Sequence, residues 1–260
     1  MEPNQRTDGP PPPYEEIGNK RQDDILNPAV LTLANQSIHA ETTPSTPLYR
    51  ISQDITSTHQ KFSSLKFERI ETPLSLQPDS KSSPEAQHLF FLAHPAHAQY
   101  RTDIPAYYIT SVSSKTLGNI RFEMTKSRLQ KIEFRALLSA KKTACDKPLF
   151  DEGIEEPLFS AKPKWSGSRY RWLVAGGNEV AFEDGKGERQ KLVVTVPLQR
   201  DKRDALVALW ILRLWHDTAE SRLARREALE ALTPHTAYAG MDLKFAKRAG
   251  ALGALGGGGA

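Results

Sequence analysis

The most constraining stretch of the chain is Ala205-Leu206-Val207-Ala208-Leu209-Trp210-Ile211-Leu212-Arg213-Leu214-Trp215, in which every residue but Arg213 is apolar. Asp201 is placed to cap a helix here, with the Asp204 carboxylate three residues on, and Thr233-Pro234 is placed to stop it. Such a helix has no polar face, so protein or lipid must surround it. Eleven residues reach only about 16 Å at 1.5 Å each, too short for a bilayer of roughly 30 Å. Burial inside the protein is what remains. Leu206, Leu209, Trp210, Leu214 and Trp215 supply the bulk. From His216 onward the run turns polar, and a helix over about 201–232 is expected to project from the core in that half.

What could enclose such a rod is read from the chain before it. Between Pro47 and Gln199 the apolar period falls to two. Ile120, Phe122 and Met124 alternate with Arg121 and Glu123; Ile132 and Phe134 alternate with Glu133 and Arg135; Tyr170 and Trp172 alternate with Arg169 and Arg171. Strict alternation marks a half-buried strand. Further strands are expected at Leu48–Ile51, Lys66–Ile70, His88–Ala93, Tyr107–Val112, Pro157–Ala161, Glu179–Glu183 and Lys191–Val196. Turn chemistry separates them, as in Gly176-Gly177-Asn178 and Asp184-Gly185-Lys186-Gly187, and Thr72–Ala86 reads as a polar loop. With no crossover helix between these strands, a parallel doubly wound sheet is disfavoured. The expected fold is mainly β: a closed antiparallel β-barrel with the C-terminal hydrophobic helix through its centre.

Three regions are expected. Residues 1–46 read as a disordered Pro-rich leader, 47–232 as the barrel with its helix, and 233–260 as a flexible Gly/Ala-rich tail. The leader holds seven acidic and three basic residues, a net of −4 against +4 for the whole chain, so the remainder carries +8. A short helix over Asn27–Ala34 is a weak alternative within it. The first 30 residues have no apolar signal-peptide core, so the expectation is a cytoplasmic protein, not secreted, sitting at most on the cytosolic face of a membrane. The single cysteine, Cys145, excludes an intrachain disulfide and a Cys-based zinc site.

The architecture, with the strand series over Pro47–Gln199 and the helix at Ala205–Trp215, resembles the tubby C-terminal-like superfamily of tubby-like proteins, phospholipid scramblases and LURP-one-related proteins. The runs His88–Val112, Asp146–Phe150 and Asp204–Arg222 resemble more closely a group of fungal proteins. The superfamily implies a barrel threaded by a hydrophobic helix and, in several tubby-like domains, phosphoinositide binding through basic residues. No catalytic signature comes with it.

Pro11-Pro12-Pro13-Tyr14 fits P-P-x-Y, the ligand pattern of WW domains. Proline favours the polyproline II conformation, which lowers the entropy lost on docking; Pro11 and Pro12 fill an aromatic groove and Tyr14 a neighbouring pocket. Resemblance to WW ligands implies a HECT-type ubiquitin ligase as the partner. Alternation puts Arg121, Arg135, Arg169 and Arg171 on outward faces, with Lys126 and Arg128 beside a turn. These six are the candidate contacts for an anionic lipid surface, set against the simpler alternative of a solvated face mixed with Glu123 and Glu133. Single-stranded nucleic acid is disfavoured, because Tyr170 and Trp172 share the inward face rather than interleaving with the bases outside. His94 and His97 stand three apart around Pro95 with no further ligand in view, and Cys145 in a basic loop has no identifiable base. The reading is therefore a non-enzymatic binding or adaptor protein that needs no cofactor and no metal. Scramblase-like lipid handling and single-stranded nucleic-acid binding are the alternatives.

Overall fold

The computed structural model describes residues 25–56, 63–71, 85–95, 104–113, 116–126, 132–151, 156–164, 170–185 and 190–219. Twelve strands run in sequence: β2 (Ala29–Ala34), β3 (Ser37–Ala40), β4 (Thr43–Ile51), β5 (Ser64–Glu71), β6 (Glu85–Ala93), β7 (Tyr107–Ser111), β8 (Gly118–Lys126), β9 (Ile132–Ala140), β10 (Glu156–Pro163), β11 (Tyr170–Val174), β12 (Glu179–Asp184) and β13 (Gln190–Val194). Each pairs antiparallel with the next, and β13 returns to pair with β2, so the sheet closes into a barrel without edges. A two-stranded ribbon of β1 (Ile25–Leu26) and β14 (Leu198–Gln199) leads into helix α1 (Arg200–Ala219).

The closed sheet follows from the alternation. Leu31, Ile38, Ile51, Leu65, Phe67, Leu92, Ile109, Ile120, Phe134, Trp172 and Leu192 all point inward and are buried. Helix α1 fills the space they enclose. Every residue from Arg203 to His216 is buried, on all sides of the helix. Its side chains meet the wall around the circumference, from Tyr49 on β4 and Arg69 on β5 to Glu183 on β12 and Phe134 on β9. Leu206, Leu209 and Trp210 are fully buried and Leu214 and Trp215 nearly so. At about 1.5–3 kcal/mol per large apolar side chain, this helix is a main source of stability. No helix of the described residues is long and apolar enough to cross a membrane.

The structure corrects the sequence reading in several places. Residues 25–46, expected to be disordered, build β1 to β3 and the start of β4. Six of the seven acidic residues counted in the leader lie before residue 25, and the stretch 25–46 carries a single charge, Glu41. Leu31, Leu33 and Ile38 therefore have apolar surface to bury, and they bury it. The helix weighed for Asn27–Ala34 is instead strand β2, with Leu31 and Leu33 buried on one face and the backbone paired with β13. Glu85 and Ala86 belong to β6 rather than to the preceding loop. Met124 lies past the rim and is exposed while Ile120 and Phe122 are buried. Burial in α1 continues through His216, where projection had been expected. The remaining leader, residues 1–24, and the segment 220–260 lie outside the described residues.

One glycine is required by packing. Gly118 has φ +130°, and a Cβ there would stand 2.3 Å from the Ser139 carbonyl oxygen across the β8–β9 pair.

Candidate functional site

The outward-facing bases divide into two groups. Arg121 and Arg135 lie on neighbouring strands, but Glu123 stands directly across from Arg135 and 3.8 Å from the Arg121 guanidinium. Arg121 also lies over the Phe150 ring at 5.3 Å. It lines an open groove of about 340 Å³ with Ile104, Pro105, Glu123 and Met124. This half of the wall is charge-compensated.

In the second group two bases face one another. Ala161 and Trp172 turn inward on β10 and β11, so Lys162 and Arg171 turn outward, and the register sets them directly opposite one another. Cross-strand pairs stand about 5 Å apart at Cβ, and like charges so placed repel. The next residue in that row is Phe182 on β12, and the Lys164 ammonium sits 4.2 Å from the centre of its ring. Glu179 approaches Lys164 only at 4.0 Å. Three cations and an aromatic ring thus share one patch of the wall. An anion placed there relieves the Lys162–Arg171 repulsion, and Phe182 adds an apolar contact.

Of the residues singled out from the sequence, the structure places Arg121, Arg135 and Arg171 on the outer face as expected, but Arg121 and Arg135 stand with Glu123 and apart from Arg171. Lys126 ends β8, where its backbone alone is described. Arg128 and Arg169, like Pro11, Pro12 and Tyr14, lie outside the described residues, as does His97. His94 stacks on Tyr107 at 4.1 Å with its Nδ1 donating to the Ala106 carbonyl, which makes it part of the core rim. Among the described residues no three His, Cys, Asp or Glu side chains gather as a metal site.

Sequence reasoning missed the polar groups inside. Asp204 accepts from Tyr49 Oη at 2.9 Å and is ion-paired to Arg69, which also reaches Glu71 and Gln87. Arg213 donates from Nε and Nη2 to the two oxygens of Glu183, each at 2.5 Å, and from Nη1 to Asp217 at 2.6 Å. Trp172 Nε1 also donates to Glu183. Burial pushes the Glu183 carboxyl up to about 7 against the pull of Arg213 and Trp172, and it pushes Asp204 upward against Arg69 and Tyr49. Burial lifts the Tyr170 phenol, beneath the Arg213 guanidinium at 4.6 Å, to about 12. The signal available in advance was Arg213 itself, because a lone base in an apolar helix demands a buried acid. Glu183 and Arg213 are buried against Trp172 and Tyr170, whereas Arg69 and Asp204 line a cavity of about 40 Å³ with Gln87, His88 and Asp201.

No family model, curated protein or solved structure matches the chain.

Proposed function

We propose that the chain is a non-enzymatic adaptor in which Pro11-Pro12-Pro13-Tyr14 docks a WW-domain protein while the barrel meets an anionic membrane surface at the cytosolic side. The observation that carries the membrane half is the like-charged cross-strand pair Lys162–Arg171, with Lys164 over Phe182 beside it. Near an anionic leaflet each such base is worth about 1 kcal/mol. The filled interior favours an outer-face contact over an enclosed ligand. We also infer kinship with the tubby C-terminal-like superfamily; the support is a closed antiparallel wall around an apolar helix. A HECT-type ubiquitin ligase is the kind of WW partner this reading favours.

The test is flotation with vesicles. The full chain is expected to float with phosphoinositide-containing vesicles and not with neutral ones. The double variant Lys162→Glu, Arg171→Glu is expected to lose at least about tenfold of that binding, a loss in line with two bases near the surface. Equal flotation of the variant, or none of the wild type, refutes the membrane half. The docking half is tested separately: a peptide of residues 5–20 binds a WW domain, and Tyr14→Ala abolishes it.

A further inference from the structure

The tip of the β3–β4 hairpin carries a feature used by neither the docking motif nor the cationic face. In Glu41-Thr42-Thr43-Pro44-Ser45-Thr46-Pro47 two of the three threonines, Thr43 and Thr46, are followed by proline. The ladder here is broken. Ala40 pairs with Thr43 and His39 with Pro47, so one step along β3 corresponds to four along β4, and Pro44, Ser45 and Thr46 are looped out. The prolines explain this, since neither has an N–H to donate to the ladder. On its other side β4 pairs with β5 only from Tyr49 to Ile51. Glu41 through Thr46 are all exposed, whereas Pro47 is half-buried.

We propose that Thr43 is a phosphorylation site for a proline-directed serine/threonine kinase. Such a kinase needs an accessible hydroxyl, an extended backbone free to leave its neighbours, and a proline ring at the next position. Thr43 offers all three, because Pro44 is itself exposed and, among the described residues, the segment is held on this side by the Ala40 pairing and the Glu41 N–H to the Val30 carbonyl. Opening so small a ladder costs little. Thr46 has the same two-residue motif, but its proline is half-buried and laddered to His39, so the fold discriminates between the two threonines. In the reaction Thr43 Oγ1 attacks the γ-phosphorus of Mg·ATP, the bond to the β,γ-bridging oxygen breaks, ADP leaves and the hydroxyl proton passes to the kinase's base. The product carries about −1.5 to −2 charges. They arrive beside Glu41, which reaches across to Lys191 on β13 at 2.8 Å, and the phosphate competes with Glu41 for that ammonium.

The experiment incubates the full chain with Mg·ATP and a proline-directed kinase and locates phosphate by mass spectrometry. A peptide of residues 38–50 runs in parallel, together with Pro44→Ala and Thr46→Ala. The expected result is phosphate on Thr43 of the full chain, faster than on Thr46, undiminished in Thr46→Ala and at least about tenfold slower in Pro44→Ala. Thermal unfolding of the variants, whose side chains are exposed, is expected to match wild type and shows that they are folded. Thr43 left bare in the full chain overturns the proposal, whether or not the peptide is modified. So does modification of Thr46 ahead of Thr43, or indifference to Pro44→Ala.

Discussion

The two ends of the central helix solve the same problem with opposite charges. Near its N-terminus Asp204 is buried on the helix and its cation, Arg69, stands on the wall. Near its C-terminus Arg213 is buried on the helix and its acid, Glu183, stands on the wall. Both signs suit the helix dipole. The ends differ in what can be neutralised. A carboxyl deprived of its cation can take up a proton, whereas a guanidinium deprived of its acid stays charged at any ordinary pH. With its wall partner removed, the helix residue of the N-terminal clamp can therefore relax by protonation, and that of the C-terminal clamp cannot. Between them the helix has no polar partner: Trp210 is fully buried and its Nε1 lacks a hydrogen bond among the described residues.

The largest effect should come from placing a charge where neither clamp reaches. Trp210→Asp removes the bulkiest side chain at the middle of the helix and adds a carboxylate with nothing to pair it. Losing the ring costs about 3–5 kcal/mol before the charge is counted, an amount comparable to the whole stability of a domain. The variant is expected to be insoluble on expression. Soluble protein with a cooperative unfolding transition would mean that the helix middle is not enclosed.

Next in size are the clamps. Glu183→Leu strands Arg213 with Asp217 alone, and a loss of about 3 kcal/mol in urea denaturation is expected at pH 8. Arg69→Met strands Asp204, which keeps its bond from Tyr49 and can protonate, so a smaller loss is expected. Acid separates the two. The Arg69→Met deficit should shrink as pH falls, because burial already raises the Asp204 carboxyl. The Glu183→Leu deficit should grow from pH 8 to pH 5, because wild type gains a neutral, hydrogen-bonded Glu183 over that range and the variant does not. Parallel trends would erase the difference drawn between the two ends.

What could be read from the sequence was whatever has a local period. The apolar run Ala205–Trp215 and the alternation around Ile120, Phe134 and Trp172 give the helix, the strands and the closed sheet, since each is a property of neighbouring residues. The closing strand β2 escaped because its apolar residues were averaged with the acidic stretch ahead of them. The clamps escaped for another reason. Glu183 is 30 residues from Arg213, and it turns inward by parity with Ala181, opposite the buried Leu192. The candidate site divides in the same way. Parity alone turned Arg135 and Arg171 outward. That Lys162 faces Arg171, while Glu123 faces Arg135, is set by pairing between strands and is invisible along either one.

The sharpest expectation concerns pH in the intact protein. The Glu183 carboxyl rises from an ordinary 4.5 to about 7 on folding, chiefly through burial. The folded state therefore holds a proton that the unfolded chain has released over that interval. The stability this contributes is complete below about pH 4.5 and is lost as pH climbs through 7, by up to about 3 kcal/mol. Asp204 shifts in the same direction, whereas Asp217, held by His216 and Arg213, shifts downward and opposes it at the acid end. Glu183→Gln keeps the acceptor for Trp172 and Arg213 and cannot titrate. Denaturant midpoints across pH 5 to 8 should fall with pH in wild type and fall less steeply in the variant. An unchanged slope would show that Arg213 keeps Glu183 ionised throughout, and the wall end of that clamp would then be a permanent ion pair rather than a proton carrier.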